Sequence, residues 1–188
     1  MTIESRIAAA RKELAAVHSE LATLLAADKS RRRGPIVRQM HELRLMLDQN
    51  YAYTSQAGQD AVIDRIFGQK TKGTFVDIGG YDGITGSNTL FLEQHRGWTG
   101  VLVEPVTAQL EKAQIARKCP CVQFAVADKA GTATFIEVAE GFTQMSGLAE
   151  TYDQDLLSRV RQDPRHVERQ VSVKTQTLAG ILLDAGIP

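Results

Sequence analysis

The stretch Val76-Asp77-Ile78-Gly79-Gly80-Tyr81-Asp82-Gly83 is where this chain has residues arranged for chemistry. Glycines after a β-branched run let the backbone turn sharply and approach a ligand closely. A pyrophosphate-binding turn reads G-x-G-x-x-G and presents a helix N-terminus to the phosphates. Here Ile78 stands at the first glycine position of that pattern, and Asp77 and Asp82 flank the turn. Two carboxylates repel a pyrophosphate but favour an ammonium and a sulfonium. The turn therefore predicts S-adenosyl-L-methionine (SAM), with Asp77, Gly79, Tyr81, Asp82 and Gly83 as contacts. Tyr81 either borders the methyl group or packs the loop.

Two further elements follow in order. Val101-Leu102-Val103-Glu104-Pro105 puts Glu104 at the end of the next strand, about twenty residues after the turn, where an acid can accept both ribose hydroxyls. Enzymes using NAD employ the same device, so Glu104 alone does not choose the cofactor. Ala125-Val126-Ala127-Asp128 ends a third strand. With strands in the order 3-2-1, Ala127 would cover an adenine face and Asp128 would accept from its amine. Asp128 can equally be a turn residue opening Asp-Lys-Ala-Gly. No catalytic residue is assigned. His95, at a predicted helix end, and His166, in the polar segment 139–170, are the candidate bases at neutral pH.

The elements that must hold these residues alternate. Helix is predicted over Gln59–Phe67, Ser87–His95, Thr107–Lys118, around Asp153–Arg161 and over Thr177–Ala185. Strands are predicted at Thr74–Ile78, Gly100–Val103, Cys121–Val126 and Ala133–Val138, with an edge strand at Val171–Thr175. This alternation predicts a doubly wound α/β sheet over residues 51–188.

Residues 1–50 differ. Ile3, Ile7, Ala10, Leu14, Val17, Leu21 and Leu24 are spaced 4, 3, 4, 3, 4, 3, an a/d pattern over three heptads. Ser30-Arg31-Arg32-Arg33-Gly34-Pro35 interrupts it, and Ile36, Met40, Leu43 and Leu47 resume the spacing. The segment reads as an N-terminal helical hairpin or coiled coil. It is either a solvated extension or a homodimerisation element, because a narrow apolar seam cannot bury itself. The arginine run reads as a solvated turn.

Composition narrows the class. Twenty-two Lys/Arg balance twenty-two Asp/Glu, so no bulk charge supports a nucleic-acid partner. No apolar run approaches the roughly 20 residues of a membrane span. Two cysteines, Cys119 and Cys121, make neither a disulfide framework nor a metal site and read as structural thiols. A cytoplasmic location is expected, with no leader segment ahead of the first helix.

At this point the chain resembles the FkbM-type SAM-dependent methyltransferases. The matching stretches are Ser55-Gln56-Ala57-Gly58-Gln59-Asp60, the turn Thr74–Gly83, Ser87-Asn88-Thr89-Leu90-Phe91-Leu92-Glu93, Trp98–Pro105 and Ala125–Gly131. The resemblance implies a Rossmann-like class I methyltransferase sheet over residues 51–188. It implies Gln56, Gln59 and Asp60 as residues bordering the cofactor, with Ser87 and Asn88 at its methionine end. It also implies methyl transfer to a hydroxyl of a sugar, glycan or secondary metabolite. In the family a strand ending in I-D-x-E-G follows a stretch like Val171–Pro188. Its absence here implies a sheet truncated at its C-terminal side. The rival readings are a non-catalytic SAM-binding and oligomerisation module, an inactive fragment, and an NAD-dependent oxidoreductase. Ile78 argues against the last.

Overall fold

The computed structural model describes residues 2–30 and 33–187. Arg31 and Arg32 of the basic turn, and Pro188, lie outside the described residues. The chain divides into two compact units, 1–71 with 85–96 and 72–84 with 97–188.

In the first unit, α1 (Ile3–Ala27) and α2 (Arg33–Leu47) pack on one another. Thr2 Oγ1 accepts from the Ser5 amide at 3.2 Å and caps α1. Gly34 and Pro35 do not separate the helices; they form the first turn of α2. A proline there forfeits no intrahelical hydrogen bond, because the first amides of a helix have no partner. α2 buries His41, whose Nδ1 lies 2.9 Å from the Tyr51 hydroxyl. A Cβ on Gly58 (φ +81°) would come within 3.2 Å of both those atoms, so this packing requires glycine twice over.

α3 (Gln59–Ile66) and α4 (Leu90–Arg96) complete the unit. Arg96 grips Asp64 with two bonds, Nε at 2.6 Å and Nη2 at 2.7 Å, and the Tyr53 hydroxyl donates to the same carboxylate. Burial and that carboxylate push the Tyr53 phenol up to about 12. α4 begins at Leu90, three residues later than the spacing predicts, because Ser87 Oγ accepts from the Thr89 and Leu90 amides at its entry.

The second unit opens with three parallel strands in the order β1-β2-β3: β1 (Thr74–Ile78), β2 (Thr99–Val103) and β3 (Cys121–Val122). α5 (Thr107–Ala116) connects the last two. The predicted third strand, Cys121–Val126, is split. Its first half pairs with β2 only as far as Val103↔Val122. The amides of Leu102 and Glu104 donate to the carbonyls of Pro120 and Val122, and the next amide in that alternation, Val106, donates instead to Glu104 Oε1 at 2.9 Å, so the ladder stops there. Its second half, β4 (Ala125–Val126), joins another sheet.

That sheet has the order β4-β7-β5-β6, with β5 (Gly131–Glu140), β6 (Gly147–Leu148) and β7 (Val167–Gln176). β7 is therefore internal, not the predicted edge strand. Its alternation reflects one buried face: Val171 and Val173 pack with Phe135, Ala125 and Val106. The opposite face of β7 carries Gln170, Ser172 and Lys174, all exposed. Further along the Val171 face, Arg169 pairs with Glu137 at 2.8 Å. α6 (Gln154–Val160) is capped by Asp153 and α7 (Leu178–Asp184) by Thr177. Ile181 on α7 packs against Val101 and Val103, with Val76, Val122 and Val126 around them. No helix among the described residues is long and apolar enough to cross a membrane.

Candidate functional site

The glycine turn leaves the carboxyl end of β1, and two amides hang it on β2. Gly79 N–H donates to the Val103 carbonyl at 2.8 Å and Gly80 N–H to the same oxygen at 3.2 Å. A Cβ on Gly80 would lie 2.3 Å from Leu102 Cγ, so only glycine lets the turn lie this close to the core. Gly79 (φ +70°) takes the left-handed conformation, and a Cβ there would meet nothing within 4 Å. The turn thus has one side pressed on β2 and an open side at Gly79.

Glu104 organises the turn from the next strand. It is buried, at 5% exposure. Its Oε2 accepts from the Tyr81 amide at 2.9 Å and its Oε1 from the Val106 amide at 2.9 Å. Burial pushes this carboxyl above the usual range, and the two amide bonds pull against that rise. Each oxygen has further acceptor capacity beyond its one amide. The Tyr81 backbone, at φ +51°, is held in the left-handed region by that bond.

The Tyr81 side chain leaves the turn and meets Thr143 Oγ1 at 2.8 Å. Thr143 precedes a recess of about 280 Å³ lined by Gln144, Met145, Leu148, Thr151, Tyr152 and Leu156. Asp82 Oδ1 accepts from the Ile84 amide at 2.9 Å and so closes the turn locally.

One organising residue left no mark in the sequence pattern. Arg117, at the C-terminal end of α5, has a side chain with 0% exposure. Its Nη1 lies 3.6 Å from Asp77 Oδ2 and donates to the Gly83 carbonyl at 3.3 Å. Its guanidinium also stacks over Phe75 at 5.4 Å. Arg117 therefore grips both ends of the turn, and it compensates the charge of Asp77. The excess of negative charge at the turn is smaller than the two aspartates alone suggest. The signal was present only as an arginine in a basic Arg117-Lys118 pair, which reads as a solvated helix end.

Within this unit, Asp77, Gly79, Tyr81, Asp82, Gly83 and Glu104 come together around one turn. Ala127 and Asp128 do not join that set of contacts. The Ala127 amide donates to the Gln176 carbonyl at 3.0 Å, and Asp128 is an exposed residue in the bend before β5.

The other candidates belong to the first unit and form a set of their own. Ser55 bridges to Gly86, and Thr54 Oγ1 donates to the Ser87 carbonyl at 3.0 Å. Asp60 is fully buried and accepts from the Thr54 and Ser55 amides, the Ser55 hydroxyl and the Ala61 amide. Those bonds make it the residue that shapes the segment. Gln59 Oε1 accepts from the Ala57 amide at 2.8 Å, while Gln56 packs its Cγ against Gly86. Asn88 is exposed.

The two histidines differ. His95 is exposed and stacks on Phe91 at 4.9 Å. His166 puts Nε2 2.9 Å from Glu168, and its Nδ1 is buried with no hydrogen-bond partner among the described residues. Neither nitrogen of His166 is presented for proton abstraction.

A glycine turn at the carboxyl end of the first of several parallel strands, with an acid ending the next, is how open α/β sheets bind nucleoside-containing ligands. The chain belongs to the FkbM methyltransferase family, whose domain matches residues 77–188. The match takes in the turn, Glu104 and Asp128, and begins after the Gln56–Asp60 segment. No curated protein and no solved structure matches the chain.

Proposed function

We propose that the protein is a SAM-dependent methyltransferase whose second unit holds the cofactor through the Gly79–Gly83 turn and Glu104. The observation that carries this reading is the buried Glu104 carboxylate, fixed by two backbone amides at the end of β2 with acceptor capacity remaining on both oxygens. Ribose hydroxyls are donors of matching number and spacing. The open side of Gly79 admits the ligand backbone closely, as the fit requires.

SAM supplies an already activated methyl group when bound. The protein's own task is then to orient the acceptor and exclude water. We place the acceptor at the recess beside Thr143, which Tyr81 ties to the turn. Its amide, hydroxyl and aromatic lining suits a hydroxylated acceptor such as a sugar or secondary metabolite, with transfer to oxygen.

Calorimetric titration of the full chain with SAM, S-adenosylhomocysteine and NAD tests this reading. Saturable binding of the first two without NAD is expected. Binding of NAD alone, or of none of the three, overturns it.

A further inference from the structure

The seam of α1 is only half used. α2 covers one flank, where Leu14, His18, Leu21 and Leu25 are half-buried. Ile3, Ile7, Val17 and Leu24 are 71%, 53%, 37% and 56% exposed, and α1 contains no buried residue. α1 is also longer than α2, 25 residues against 15, so about 15 Å of it exceeds what α2 can cover. Ile3, Ala10, Val17 and Leu24 are spaced by seven and so form one row. Arg6, Glu13 and Glu20 flank that row on the side away from α2.

We propose that this row is the contact surface for a second copy of the chain, packed antiparallel. The charges choose both occupant and direction. An antiparallel copy that sets Ile3 opposite Leu24 and Ala10 opposite Val17 brings Arg6 of each copy to Glu20 of the other. Those two attractive pairs outnumber the single like-charge meeting of Glu13 with its counterpart at the two-fold axis. A parallel copy would set Arg6 against Arg11 of its partner, a repulsive pair. The row is its own complement in reverse order, as a two-fold interface requires. This proposal stands apart from the cofactor reading, since it uses no residue of the turn.

Sedimentation velocity of the full chain over a concentration series tests it, with circular dichroism as the check on folding. The wild type is expected to dimerise and Val17→Glu to be monomeric with unchanged helicity. Glu20→Arg turns both attractive pairs repulsive and raises the dissociation constant about tenfold or more. Arg6→Glu combined with Glu20→Arg restores it. The exposed positions of all three residues keep the variants folded. A wild type that stays monomeric overturns the proposal, as does a dimer that survives Val17→Glu. Failure of the double exchange to restore what Glu20→Arg loses overturns the antiparallel packing.

Discussion

Strand β2 and helix α1 carry similar aliphatic residues to opposite ends. Val101, Leu102 and Val103 are 0%, 0% and 1% exposed, whereas Ile3 and Leu24 on α1 are 71% and 56% exposed. In β2 both neighbouring strands and the face packed by Ile181 are supplied by the same unit, and in that unit even the Arg117 guanidinium is enclosed with its partners. In α1 one flank is supplied and the other is left for something else. The difference separates residues whose apolar surface is removed from water by the fold from residues whose apolar surface the single chain leaves exposed.

Arg117→Met should break the buried side of that contrast hardest. It leaves Asp77 beside an apolar side chain and the Gly83 carbonyl without its donor, at about 3–5 kcal/mol. For a chain of this size, thermal unfolding should show a fall of roughly 10 °C or more. A melting temperature within a degree or two of wild type would show that the pair carries no weight.

A matched pair sharpens the comparison. Leu102→Ala removes a fully buried side chain and should cost about 2–5 kcal/mol in denaturant unfolding. Leu24→Ala, at 56% exposure, should cost under about 0.5 kcal/mol in dilute monomer. Equal costs would erase the distinction between the two regions.

The smallest effect comes from the rim of the second sheet. The Arg161 guanidinium, with His166 beside it, holds the Glu168 carboxyl at about 2, below an ordinary 4.5. A carboxyl lowered in the folded state adds stability that is present above the unfolded value and lost as pH falls through the folded one. Acid unfolding should therefore weaken the protein between pH 4.5 and about 2, and Glu168→Gln should flatten that part of the profile. An unchanged profile in the variant would assign the loss to other carboxylates.

What the sequence revealed follows from how local each signal was. Thr74–Ile78 and its glycines are contiguous, and the structure places β1 and the turn where the pattern does. The heptads of α1 are local too, but they show only an apolar seam and not what packs on it. That α2 takes the Leu14–Leu25 flank and leaves the row from Ile3 to Leu24 depends on packing between segments. The split of Cys121–Val126 depends on where the Val106 amide goes, to the Glu104 carboxylate and not to the next residue of the strand. β7 alternates as an edge strand would, yet two strands flank it, because alternation reports a single buried face and not the number of neighbours. Arg117 was illegible for the same reason: its partners, Asp77 and Gly83, are distant in sequence. Glu104 was legible as an acid at a strand end. Its amide clamp from Tyr81 and Val106 was not, since that needs the turn already folded.

Glu104→Gln titrated with S-adenosylhomocysteine against pH tests the placement of the cofactor on this carboxylate most directly. Ribose hydroxyls donate to the ionised carboxylate, and burial raises its pKa, so wild-type affinity should fall as the pH drops from neutral into the carboxylate range. The glutamine variant should bind about 10- to 100-fold more weakly at neutral pH, the worth of a hydrogen bond to a charged group, and should show no such fall. Wild-type affinity in the variant, with the same pH profile, would contradict the placement of the cofactor on Glu104.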